Sequence, residues 1–146
     1  MEEIDRQIVR LLAHDGRVSF TDLGKATGLS TSAVHQRVRR LEQRGVIRRY
    51  TAVVDAEALG LALTAFVAVT PLDPATAEQT PSLLAGMPEI EECHSVAGDE
   101  SYLLKVRSAT PRDLEELLIR IRSAATVSTR TTIVLSTSYD ARPLPA

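Results

Sequence analysis

The stretch from Asp22 to Tyr50, DLGKATGLSTSAVHQRVRRLEQRGVIRRY, leaves little freedom in how this chain folds. Its spacing predicts a short helix over 22–27, a tight turn at Gly28, and a second helix over 31–44. Gly28 supplies the positive φ that an interhelical turn needs. Leu29 is the apolar plug of that turn, and the Ser30 hydroxyl is a fitting N-cap. Gly45 closes the second helix. Within that helix Val34, Val38 and Leu41 recur at i, i+4 and i+7 and form one buried stripe. At 100° per residue the opposite side carries Ser32, Gln36, Arg39, Arg40 and Gln43, with His35 on one flank. Serine, glutamine and arginine read base edges in a DNA groove, and arginine also grips phosphate. The alternative is a solvated surface helix rich in arginine; the Gly-Leu-Ser turn at the right offset favours a helix-turn-helix.

A net charge of −2 over 146 residues argues at first against nucleic acid. The two parts of the chain differ, however. Residues 1–50 hold 10 Lys/Arg against 6 Asp/Glu, and residues 51–146 hold 7 against 13. The basic excess falls where the helix-turn-helix lies, as expected of a DNA reader joined to something that is not one. There is no apolar run of about 18 residues and no signal-peptide pattern, which predicts a cytoplasmic, nucleoid-associated protein without a membrane partner. The single cysteine, Cys93, excludes an internal disulfide, and His14, His35 and His94 lack metal-ligand spacing, so no cofactor is expected. Nor does the chain read as an enzyme. No nucleophile–base pair or phosphate loop is present, and Cys93 and His94, adjacent on a predicted strand, point to opposite faces.

Along the chain, Ile4, Ile8, Leu11 and Leu12 give the buried face of a first helix ending at His14. Ser19 or Thr21 caps the second helix, and Gly24 inside it suggests a close helix crossing. Residues 46–54 are β-branched and read as a wing or linking strand, with Arg48 and Arg49 near the DNA backbone. The domain plan is a DNA-binding domain over 1–54, a linker over 55–60, a second domain over 61–138 and a tail over 139–146. The second domain reads β-α-β-β-α-β. Its strands are predicted over 61–70, 89–97, 102–106 and 127–136. The first helix starts at Asp73-Pro74 and is interrupted by Pro81. The second starts at Thr110-Pro111-Arg112-Asp113 and carries the stripe Leu114, Leu117, Leu118 and Ile121. The fold class is therefore α+β: a winged helix-turn-helix followed by a ferredoxin-like βαββαβ domain. Phe66, Val67, Val69, Ile133, Val134 and Leu135 suggest a sheet apolar on both faces. With helices on only one face, this predicts a homodimer through the other.

The segments IDRQIVRLL, GRVSFTDLGKATGLSTSAVHQRVRRLEQRGVIRRYTAVVD, LGLALTAFVAV, MPEIEECHSVAGDESYLLKV and TRTTIVL, in this order, resemble the Lrp/AsnC (feast/famine) family of transcription regulators. The resemblance runs from about Ile4 to Leu135. It implies a DNA-binding regulator whose C-terminal domain assembles dimers into octamers or similar and takes an amino-acid effector. On it, Thr31, Ser32, His35, Gln36, Arg39 and Arg40 are expected at double-stranded DNA, with Arg48 on its backbone. The effector site is expected at Ala97, Gly98, Asp99, Glu100 and Ser101 with Thr131 and Thr132. Gly98 admits close approach, Asp99 or Glu100 takes an ammonium group, and backbone N–H groups and the threonine hydroxyls take a carboxylate. A β-hairpin turn with solvated acids is the other reading of those residues. Three departures from the family pattern stand out: Ala124-Ala125 replaces a Pro-Gly turn, Glu100 replaces a frequent aromatic, and Ala97 stands where a hydroxyl residue is common. An architectural DNA-binding protein with little effector control is the alternative function.

Overall fold

A computed structural model describes residues 1–145. They form two compact units. The first holds residues 1–53 together with the segment from Tyr139, and the second runs from Val54 to Ser138. The tail thus groups with the helical unit. Among the described residues no helix is long and apolar enough to cross a membrane.

The first unit contains α1 (Glu3–His14), α2 (Phe20–Thr27) and α3 (Thr31–Gln43). Ser19 is the residue that caps α2: its hydroxyl accepts from the Asp22 N–H at 3.0 Å. Ser30 caps α3 in the same way, through Ala33 N–H at 3.2 Å. Gly28 sits at φ 72° and Gly45 at φ 69°, as the turns at those points require. Ile8, Leu23, Val34, Val38 and Leu41 form the closed core, and Leu11, Leu12, Phe20, Leu29 and Ile47 pack around it half-buried. Gly24 has a local reason. A Cβ there would lie 2.6 Å from the Leu29 carbonyl oxygen, so the glycine makes room for the turn folding back on α2 rather than for another helix.

Residues 46–54 form no strand and pair with none. Their β-branched side chains favour a pleated surface, but that preference is realised only beside a hydrogen-bonding partner, and the described residues offer none. Val53 and Val54 are left exposed. The described helical unit therefore has no hairpin wing.

The second unit contains β1 (Leu63–Pro71), a 3₁₀ segment (Pro74–Gln79), α4 (Thr80–Leu84), β2 (Ile90–Ser95), β3 (Tyr102–Ser108), α5 (Pro111–Ala125) and β4 (Val127–Ile133). Pro81 divides the predicted first helix into the 3₁₀ segment and α4, since a proline fits only the first turn of an α-helix. The α5 start is a complete capping box. Thr110 Oγ1 accepts from Asp113 N–H, and Asp113 Oδ2 accepts from Thr110 N–H. Ala124 and Ala125 end α5, and the turn falls on Thr126 at φ 52°.

All pairings in the sheet are antiparallel, in the order β2-β3-β1-β4. One face carries Ala65, Val67, Val69, Leu104 and Val106 against Leu84 of α4 and Leu114, Leu117 and Ile121 of α5. The other face is less apolar than the sequence suggests. Alternation places Phe66, Ala68 and Leu103 there, but also Lys105 and Arg107. A bulge between Ile90 and Glu92 sets both Glu91 and Glu92 beside Lys105, at 3.6 and 3.8 Å. Val134 and Leu135 lie beyond the end of β4.

Thr80 is fully buried in this core, and its hydroxyl has no hydrogen-bond partner. Valine keeps the β-branched shape and removes the unpaired group. Thr80→Val is expected to raise stability by about 1 kcal/mol, seen as a higher urea midpoint at unchanged slope. A lower midpoint would mean the hydroxyl is satisfied.

Candidate functional site

The exposed face of α3 follows from how that helix is seated. Val34, Val38 and Leu41 are buried, which turns the residues opposite them outward. Thr31, Ser32, His35, Gln36, Arg39 and Arg40 are all exposed, as is Arg48 beyond the helix. The guanidinium groups of Arg39, Arg40 and Arg48 have no ion-pair or hydrogen-bond partner among the described residues. The Ser32 hydroxyl lies 3.2 Å from that of Ser30 at the helix start. His35 is held edge-on against Phe20 of α2, with ring centroids 5.4 Å apart at 73°. Phe20, His35, Val38, Arg39 and Glu42 line a shallow cleft of about 290 Å³.

Arg37, in the same helix, has a different fate. It turns toward α1 and donates to Asp5 and Glu2, both at 2.8 Å. Asp5 is 2% exposed, although it stands in a first turn where acids are usually solvated. Asp5 and then Glu2 hold the Arg37 pKa above its ordinary value. Arg37 lies beside the apolar stripe of its helix, which points to a structural role, but neither the burial of Asp5 nor the pairing is visible in a helical pattern. Arg37→Ala strands Asp5 in the core without its cation, so the thermal midpoint of the helical unit is expected to fall. Asp5→Asn with Arg37→Gln, which removes both charges, is expected to recover part of that loss. A double variant no better than Arg37→Ala would count against the pairing.

In the second unit, Ala97, Gly98, Asp99, Glu100 and Ser101 form the β2–β3 connection. Val96 N–H donates to Ser101 O at 3.0 Å, and Ser101 N–H to Val69 O at 3.1 Å, so the connection is tied down onto β1. Gly98 has no positive φ, and a Cβ added to it would meet nothing within 4 Å. The fold of this chain alone does not require that glycine. Glu100 is joined by an ion pair to Arg130 of β4, reaching across the line of β1. Arg130 is a residue that sequence reasoning missed, because only the strand order brings it to the connection.

The two threonines do not converge. Thr131 pairs with Val67 and Thr132 with Phe66, so their side chains lie on opposite faces of β4. One ligand in one chain cannot take both hydroxyls. Thr132 shares its face with Arg130, while Thr131 faces the helices. Two clefts, of about 430 and 330 Å³, open elsewhere in this unit, around Leu61, Glu89 and Arg107, and none of the seven expected effector residues lines them.

Two family models match the chain: the AsnC-type helix-turn-helix domain over residues 1–42 and the Lrp/AsnC ligand binding domain over residues 64–144. The HTH-type transcriptional regulator LrpA of Mycobacterium tuberculosis is 53% identical over 142 residues, covering 97% of this chain and 95% of that protein. The HTH-type transcriptional regulator FL11 of Pyrococcus horikoshii is 36% identical over 146 residues, covering 99% and 96%. A solved structure of the M. tuberculosis feast or famine regulatory protein complexed with L-methionine superposes with a TM-score of 0.93 at 53% identity, over 95% of each chain. The helical unit and the βαββαβ sheet thus both have their counterparts in one group of proteins, and the chain belongs to the Lrp/AsnC family of transcription regulators.

Proposed function

We propose that this regulator reads duplex DNA through Thr31, Ser32, His35, Gln36, Arg39 and Arg40, with Arg48 on a phosphate beside the groove. The observation that carries the reading is the pair of unpartnered guanidiniums, Arg39 and Arg40, on the face of α3 opposite its fully buried stripe. Gln36 matches adenine and Arg39 matches guanine bidentately. The net basic charge of residues 1–50 adds sequence-independent attraction to the backbone.

The protein acts as a homodimer, which gives two recognition helices for two half-sites. Phe66, 38% exposed at the centre of a sheet face with no helix over it, supports this, because a second copy there covers it. Larger assemblies, octamers among them, are built from that dimer. The effector is an amino acid, by analogy with the relative crystallised with L-methionine. It sits beside Gly98 to Ser101 and Thr132, where the open space around Gly98 leaves room for a ligand. It regulates by binding one assembly more tightly than another.

The test is binding of the full chain to its own upstream DNA and to a scrambled duplex at fixed salt, with each of the twenty amino acids. Preference for the upstream duplex that shifts with one amino acid is expected. Equal, steeply salt-dependent binding to both duplexes, unmoved by any amino acid, would favour an architectural protein instead.

A further inference from the structure

Arg39 and Glu42 stand three residues apart on α3, and both line the shallow cleft beside Phe20 and His35. Glu42 is the only acid in that helix. At this spacing a carboxylate and a guanidinium ordinarily pair on a helix surface. Here they do not. Glu42 Oε1 accepts a hydrogen bond from the Tyr50 hydroxyl at 2.9 Å, and Arg39 has no partner among the described residues.

The backbone delivers Tyr50 to that point. Gly45 turns the chain at φ 69°, and the N–H groups of Val46 and Ile47 both donate to Leu41 O, at 2.9 and 3.2 Å. Ile47 then packs against the helical core. The segment is thereby led back along the end of α3 until the Tyr50 ring meets Glu42. Tyr50 is half exposed; partial desolvation of its hydroxyl and the Glu42 carboxylate push its pKa up to about 12, so the hydroxyl keeps its proton and remains a donor at any physiological pH.

We infer that Tyr50 is a positioning residue for DNA binding: by engaging the Glu42 carboxylate it keeps Arg39 unpaired and available to the duplex. Without the Tyr50 hydroxyl, Glu42 is released to the neighbouring guanidinium and quenches it. The inference rests on Arg39 meeting DNA, as proposed above.

The experiment measures affinity of the full chain for its upstream duplex at fixed salt, for Tyr50→Phe, Glu42→Gln, the double variant and Arg39→Ala. Tyr50→Phe is expected to weaken binding about two- to threefold, the most that competition from one exposed pair on a helix surface can take from Arg39. Glu42→Gln is expected to bind at least as well as the parent. The double variant is expected to return to the Glu42→Gln level, since no carboxylate is left to compete. A merely structural role for the tyrosine would not be rescued this way. Unchanged binding by Tyr50→Phe while Arg39→Ala binds weakly overturns the inference. So does a double variant as weak as Tyr50→Phe. If Arg39→Ala itself binds normally, the reading of Arg39 as a DNA contact fails, and the inference falls with it.

Discussion

Replacing Gly24 by alanine is expected to unfold or loosen the helical unit and to abolish DNA binding, leaving the sheet unit folded. Helix propensity alone favours alanine at this interior position by about 1 kcal/mol. The steric term is larger and of opposite sign. The new Cβ would stand 2.6 Å from the Leu29 carbonyl oxygen, a backbone atom held in place because Leu29 N–H donates to Gly24 O at 3.0 Å. Relief requires opening the turn between α2 and α3, the joint that sets the angle of α3 against α2. A net loss of about 2–3 kcal/mol is expected, typical of forcing extra volume into a closed site. A unit of some fifty residues around five closed core side chains has little stability in reserve. Thermal unfolding followed by circular dichroism, with DNA binding measured alongside, checks this. An unchanged midpoint with full DNA affinity would show that the turn yields without cost.

The second large effect is expected at Arg39. Arg39→Ala should lower affinity for the upstream duplex about ten- to a hundredfold at fixed salt, the range of one bidentate base contact. Its binding to a scrambled duplex should fall much less, because only a phosphate-like share of the interaction is lost there. Stability should not move, since the side chain is exposed and unpaired. Arg37→Ala provides the contrast from two residues away. It changes the thermal midpoint, and it reaches DNA binding only through folding. Equal losses by Arg39→Ala on both duplexes would reassign the residue to the DNA backbone.

The sequence is most informative where a pattern is local. The α5 stripe with its Thr110 capping box, the Ser30 cap and the Gly28 turn are all set by residues within a few positions of one another, and the structure has each where the spacing puts it. Elements that need a distant partner are less legible. Residues 46–54 have strand-like side chains but no neighbouring strand, so composition alone misleads there. Burial of Asp5 depends on an arginine 32 positions away. The Glu100–Arg130 pair exists only because the order β2-β3-β1-β4 folds β4 back beside β1. The divergence of Thr131 and Thr132 is different. Strand alternation already implies it, and grouping their hydroxyls overlooks a period of two that the sequence carries.

The bulge in β2 bears on how copies of this chain meet. β2 is an outer strand, hydrogen-bonded on one side only. An open strand flank is a template on which another molecule adds its own strand, and such addition repeats without limit. The irregular register at Ile90–Glu92, with two glutamates crowded beside Lys105, spoils that template. The opposite outer strand, β4, exposes Ser128, Arg130 and Thr132, with Ile133 exposed at its end. The β2 rim therefore does not invite growth. A copy that docks instead over Phe66 and Leu103 consumes its own docking surface in doing so, and association of that kind closes on itself rather than running on into a fibre.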